Sequence, residues 1–256
     1  AARLFNRTTR SLSLTDVGGS YLQRCQAVLA EIEEMEGAVT QLHTNPRGKL
    51  KISAPNVIGS LYVAPAIAEF LNLHKDLSVN LMLQSSFGDL VDEGVDIAIA
   101  FGDLKDTSLV AKKIASSPLV VCGSSGYFSA NGIPLVPEDL AQHSCLVNHS
   151  LPPRNKWSFK GPDGRMEVSV SGRMEANAAD PIRIAAKKDL GLVMLPEYIV
   201  ARDIEKGHLR AILQDYACEP MEVHAVYPHR KYVSAKVRTF LVFLEEWIRT
   251  RSAFNG

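Results

Sequence analysis

Residues 48–101 read GKLKISAPNVIGSLYVAPAIAEFLNLHKDLSVNLMLQSSFGDLVDEGVDIAIAF. GKLKISAP alternates and then turns apolar, as a strand does. GSLYVAPAIAEFLNLH carries Leu61, Ile67, Phe70 and Leu71 at helical spacing, with Pro65 early enough for a first turn or a kink. LSVNLMLQ reads as a second strand, and FGDLVDEG as a short helix closed by Gly94. VDIAIAF is a continuous apolar strand suited to burial on both faces. Strand, helix, strand, helix, strand predicts a parallel, doubly wound α/β sheet.

Downstream the pattern continues. SSPLVVCGS reads as one further strand, and YFSANG and PEDLAQHS as short helical or turn pieces. KWSFKGPDGRMEVSVSG reads as a hairpin turning at GPDG. DPIRIAAKKDLG predicts a helix ending before Gly191, GLVMLP a strand and EYIVARDIEKG a helix. MEVHAVYP is the next strand, and AKVRTFLVFLEEWIRT a final amphipathic helix. The expected body is two α/β lobes. The first spans 48–117 and 222–256, and the second spans 118–221.

Upstream, residues 1–14 are basic. Arg3, Arg7 and Arg10 fall in ten residues without a carboxylate, and Asn6 adds a hydrogen-bonding side chain. Such a stretch suits phosphate contacts, and equally a solvated loop. Thr15 is a good helix N-cap. Beyond it Tyr21, Cys25, Val28, Ile32, Met35, Val39 and Leu42 alternate at spacings of four and three, a heptad seam over residues 15–47. One amphipathic helix lying on its own domain fits the pattern. The narrow seam favours a partner helix, hence dimerisation.

RLFNRTTRSLSLTDVGGSYLQRC resembles the wing and linker-helix start of LysR-type transcriptional regulators. Leu4, Phe5, Arg7, Arg10, Leu14, Thr15 and Gly18 match that family's pattern. ISAP, VAP, DLVDEGVDIAIAFG, the Trp157–Phe159–Gly161–Pro162–Asp163–Gly164 set and HAVYPHRKYVSAKVRTF follow in the family's order. The resemblance implies a two-lobed effector domain like a periplasmic binding protein. That domain would follow a dimerising linker helix and the remnant of a winged helix-turn-helix. It implies a ligand-responsive regulator that acts as a homodimer or homotetramer on double-stranded DNA, with Arg3, Asn6, Arg7 and Arg10 as wing contacts. The recognition helix is expected ahead of Ala1.

Open α/β lobes bind ligands beyond the carboxyl ends of parallel strands. That rule and the resemblance together select Asn56, Val57, Ser85, Ser86, Phe101 and Asn148 as cleft residues for a small-molecule effector. The set is uncharged, which suits a neutral or weakly polar ligand; a dicarboxylate would want an arginine clamp, from Arg154 or Arg183. No catalytic motif is found: CGSSG lacks the spacing of a nucleophile elbow, and no phosphate-binding glycine loop is present. His143, Cys145 and His149 in HSCLVNH fit no tight zinc spacing. A non-enzymatic protein without cofactor or metal is therefore expected. The alternative reading is a stand-alone ligand-binding and dimerisation module without sequence-specific DNA binding. An enzyme on the same fold ranks last.

The 256 residues carry zero formal net charge, so only local charge speaks for nucleic acid. Hydrophobic residues make up 46 % and charged residues 22 %, as in ordinary globular chains. Runs such as VDIAIAF are too short for a bilayer, so no membrane segment is expected. Four scattered cysteines and no signal-like start point to free thiols in the cytoplasm.

Overall fold

The computed structural model describes residues 2–7, 12–15, 17–22, 24–25, 28, 46–84, 90, 93–101, 109–149, 155–161, 164–216, 218–228, 233–251 and 254. Strands β1 (Phe5–Arg7) and β2 (Leu12–Leu14) form an antiparallel hairpin. Helical residues 17–22 follow it.

The first sheet contains β3 (Gly48–Ala54), β4 (Leu77–Leu83), β5 (Ile97–Phe101), β6 (Leu109–Ser117) and a late strand, Met221–Pro228, in the order β4, β3, β5, late strand, β6. β3 runs parallel to β4 and β5, as the strand–helix–strand reading requires. The late strand is antiparallel to both β5 and β6. The sheet is therefore mixed, which corrects the doubly wound parallel expectation. The cause is that a distant segment returns between β5 and β6 instead of a further crossover unit.

The connection from β3 to β4 is α1 (Asn56–Leu73). Its second stretch, Gly59–Val63, is wound as a π-turn, and the Ala64 N–H bonds to the Gly59 carbonyl. Pro65 follows at once. A proline has no N–H to give, and its ring crowds the carbonyl four residues back, so the wider turn accommodates it. By length and composition α1 equals a short membrane span. Its buried residues Ile58, Val63, Ala66 and Phe70 instead join the core, where Phe70 meets Phe240 at 5.1 Å.

SSPLVVCGS is not one strand. Pro118 interrupts it, and β7 (Leu119–Gly123) starts a second sheet. A proline cannot donate to a ladder, so the chain leaves the first sheet there. That sheet holds β7 between β12 (Val193–Pro196) and β13 (Arg210–Ile212), both antiparallel to it. β8 (Val147–Asn148) pairs in parallel with β11 (Glu175–Ala176), and a parallel Cys145–Leu192 bridge joins this pair to β12. The order β11, β8, β12, β7, β13 repeats the strand directions of the first sheet: three parallel, then two alternating. The returning strand Met221–Pro228 is β14.

The hairpin of β9 (Lys156–Gly161) and β10 (Gly164–Ser169) forms as expected and buries Trp157 and Phe159. Helices α2 (Ser125–Asn131), α3 (Ala179–Ala186), α4 (Glu197–Glu205) and α5 (Ala235–Arg249) complete the layers. α3 stops earlier than its sequence suggests. Asp189 takes the left-handed turn (φ 63°), and its carboxylate accepts the Ser124 hydroxyl at 2.5 Å.

Gly172 is fixed by close approach. A Cβ there would sit 2.2 Å from the Cys145 carbonyl oxygen and 2.9 Å from its nitrogen. These are backbone atoms of a paired strand and cannot swing aside. Gly172→Ala is expected to cost about 1–3 kcal/mol, read as a lowered urea midpoint. An unchanged midpoint contradicts this packing.

Candidate functional site

The carboxyl ends of the parallel strands define the candidate site. Beyond β3, Pro55 leads into the first turn of α1, which packs against α4. Asn56 is exposed there and Val57 half-buried. At the end of β5, half-buried Phe101 stacks on Tyr198 of α4 at 6.2 Å. Val57 and Phe101, with Asn56 in the same turn, are thus brought to one place. On the other sheet Asn148 is buried at the end of β8, one residue before His149. The His149 N–H donates to Ala176 at 2.7 Å, and its Nε2 lies 3.2 Å from Glu175. Ser85 and Ser86 lie outside the described residues, as does Arg154.

Arg183 is not a ligand clamp. Its Nη1 donates to Asp203 and its Nε to Asp180 at 2.9 Å, so its charge is committed within α3 and α4. Among the described residues the strand ends therefore present amide, aliphatic and aromatic groups beside the His149–Glu175 pair. Three residues here escaped the sequence reading. Gln84, at the end of β4, buries its Nε2 with no hydrogen-bond partner among the described residues. Tyr62 donates its hydroxyl to the Tyr198 carbonyl at 3.3 Å. Tyr198 itself is buried at the start of α4. Burial raises both phenols above the ordinary tyrosine value, so they remain protonated donors at neutral pH. Chain order placed Tyr62 and Tyr198 as mere helix residues; only the apposition of α1 and α4 marks them.

A shallow surface depression lined by Val95, Asp96, Tyr227 and Val237 among others lies at the opposite strand ends. Its carboxylate is taken: Asp96 accepts from Lys236 at 3.0 Å and from the Lys51 N–H at 2.9 Å.

In the N-terminal hairpin, Thr15 acts as the expected cap. Its Oγ1 accepts the Gly18 N–H at 2.9 Å and donates to the Arg3 carbonyl at 2.7 Å. A Cβ on Gly18 would lie 2.0 Å from the Leu4 carbonyl oxygen, so the hairpin and helix fit only around glycine. Arg3 and Asn6 are exposed. The Arg7 backbone lies in β1; its side chain and Arg10 lie outside the described residues. Of the seam, Tyr21 is 56 % and Val28 54 % exposed in the single chain, and Cys25 is half-buried. Ile32, Met35, Val39 and Leu42 lie outside the described residues.

HSCLVNH sends its side chains to separate partners. His143 Nδ1 meets the Tyr127 hydroxyl at 3.2 Å, the Cys145 thiol donates to Leu140 at 3.6 Å, and His149 faces Glu175. Burial pushes the thiols of Cys122 and Cys145 up to about 12 and that of Cys218 to about 11, with the Asp203 charge adding at Cys122. Thiolate is the reactive form. At pH 8 the first two are expected to react with a disulfide reagent about a thousandfold more slowly than an exposed thiol. Three or more fast thiols in the folded chain would contradict this.

A family model described as the LysR substrate binding domain matches residues 43–249. An HTH-type transcriptional regulator from Haemophilus influenzae is 34 % identical over 235 residues, covering 92 % of this chain and 82 % of that protein. The HTH-type transcriptional activator AaeR of Escherichia coli is 30 % identical over 248 residues, covering 96 % and 79 %. Among solved structures, CrgA from Neisseria meningitidis, described as a LysR-type transcriptional regulator, superposes with a TM-score of 0.70 at 28 % identity. It covers 97 % of this chain and 84 % of that one.

Proposed function

This chain belongs to the LysR family of transcriptional regulators, and on that premise we propose that it is an effector-responsive regulator whose small-molecule ligand binds between the two lobes. Asn56, Val57, Ser85, Ser86, Phe101 and Asn148 are its cleft residues, joined by Gln84 and Tyr198. The observation that carries the reading is the convergence of the α1 first turn, Phe101 and the start of α4 at the carboxyl ends of parallel strands. The selected residues are neutral and partly aromatic, which favours an uncharged or weakly polar aromatic effector.

The helix over residues 15–47 joins two copies, and dimers or dimer pairs form in the cytoplasm. What supports this is the exposure of Tyr21 and Val28 on the heptad seam. Arg3, Asn6, Arg7 and Arg10 contact DNA phosphates or a narrow minor groove. Ligand binding changes how the lobes pack, and the linker helices pass that change to the DNA.

The test deletes the gene in its own host and measures transcripts of the neighbouring genes, with and without a panel of aromatic compounds. The full-length product is assayed on the flanking DNA across a salt series. A regulator changes those transcripts and binds with steep salt dependence. Unaltered transcripts together with no DNA binding reject the proposal.

A further inference from the structure

The C-terminal tail returns to the place where the two sheets meet. Phe254, beyond the end of α5, is buried. Its ring stacks on Tyr198 at 5.4 Å with planes 12° apart. Tyr198 stacks in turn on Phe101 at 6.2 Å and 15°. The three rings form a ladder of near-parallel planes. Tyr62 closes it from the side, edge-on to Phe254 at 4.8 Å and to Tyr198 at 5.9 Å.

These rings come from four separate segments. Tyr62 belongs to α1 and Phe101 to β5, both of the first sheet's lobe. Tyr198 opens α4, directly after β12 of the second sheet. Phe254 is on the tail. The start of α4 is also tied to the chain crossing between the sheets. The Glu197 N–H donates to the Pro118 carbonyl at 2.8 Å, and the Tyr198 N–H to Ser117 Oγ at 3.4 Å. A rotation of one lobe against the other would therefore slide Tyr198 past Tyr62 and Phe101. Stacked and edge-on contacts are directional, so they resist that slide in a way that aliphatic packing does not.

We infer that Phe254 is an inter-lobe latch: the tail inserts a ring that sets the angle between the lobes and hence the opening of the cleft beside Asn56 and Phe101. Phe101 is both a rung of the ladder and a cleft residue. A ligand that displaces its ring shifts Tyr198 and loosens the tail. The latch is a positioning device and needs no contact with the ligand.

The test uses the whole chain without effector or DNA, so its outcome is independent of the regulatory reading. Cys25→Ser and Cys218→Ser clear the more accessible thiols. Spin labels are placed at Glu69→Cys on α1 and Lys160→Cys on β9, both exposed positions. Electron–electron distances are then measured for the parent, Phe254→Ala, Phe254→Leu and Phe254→Tyr. A latch predicts one narrow distance for the parent and Phe254→Tyr, which keeps the ring. It predicts a distribution about twofold wider for Phe254→Leu, which keeps most of the volume but not the ring. Phe254→Ala should widen at least as much. If Phe254→Ala fails to fold, Phe254→Leu and Phe254→Tyr decide. A parent-like width in Phe254→Leu overturns the proposal, because the ring is then only filler.

Discussion

Replacing Asp203 with alanine is expected to lower the unfolding free energy by about 3 kcal/mol, the low end of the range for breaking a buried ion pair. Asp203 lies in α4 with a side chain only 7 % exposed. It accepts hydrogen bonds from the Arg183 guanidinium and from Lys187 Nζ at 2.5 Å, both across from α3, and faces His208 Nδ1 at 3.3 Å. Truncation leaves two cations facing each other with no carboxylate between them. The loss stays at the low end for two reasons. Arg183 keeps Asp180 at 2.9 Å, and the Arg183 and Lys187 side chains are 23 % and 27 % exposed.

For a chain of this size each kcal/mol moves the melting temperature by about 2–4 °C, so a fall of roughly 6–12 °C is the readout. The pH dependence has a definite sign. Burial alone raises the Asp203 carboxyl, but hydrogen bonds from Lys187, Arg183 and His208 outweigh it and hold the folded value below the ordinary one. A carboxylate so depressed contributes stability above its unfolded pKa, near 3.9. That contribution is lost as pH falls through the lower folded value. The gap between wild type and Asp203→Ala should be full at pH 7 and shrink below about pH 4. A gap under about 1 kcal/mol at pH 7 would show that solvent already screens both cations.

Such a clamp is invisible in the chain order, where DPIRIAAKK and EYIVARD are two amphipathic helices with ordinary charges. What sequence reveals here is periodicity and punctuation. β3, α1, β4 and β5 follow from alternation and helical spacing, and the β9–β10 hairpin follows from its GPDG turn. β6 escapes because Lys112 and Lys113 break its apolar pattern. Their charges are met only by tertiary partners, Glu245 at 2.6 Å and Glu222 at 2.5 Å. The mixed direction of the first sheet escapes because β14 arrives from the far end of the chain. The candidate site divides the same way. Asn56 and Phe101 are legible as strand-end positions, because the order of elements puts them there. Tyr62, Tyr198 and Phe254 are not, because no local rule joins three rings from α1, α4 and the tail.

Phe70→Ala is expected to cost about 3–5 kcal/mol, the range for removing a buried aromatic side chain. Phe70 is fully buried near the end of α1, with Phe240 at 5.1 Å and Phe243 at 5.2 Å from α5 and His74 at 4.5 Å. The backbone around it belongs to a helix on a sheet and collapses poorly, so the cavity persists. Phe70→Leu keeps most of the volume and should cost under about 1.5 kcal/mol. The more informative question is which part of the chain responds. One core joins Leu50, Ile52, Phe70 and Phe240 of the first sheet's layers to Leu146, Leu195 and Tyr198 of the second, while Val121, Trp157 and Phe159 belong to a further cluster within the second lobe. Two lobes with wholly separate cores would unfold separately, whereas a core that joins the lobes and backs onto the second cluster across β7 (Cys122 on one face, Val121 on the other) predicts one transition. The two tryptophans report on each side, Trp157 in β9 and Trp247 in α5. With Trp157→Phe and Trp247→Phe as single-tryptophan backgrounds, Phe70→Ala should move both urea midpoints by the same amount. If only the Trp247 signal moves, the lobes are energetically independent. The aromatic contacts between them would then hold orientation alone and carry no share of the fold's stability.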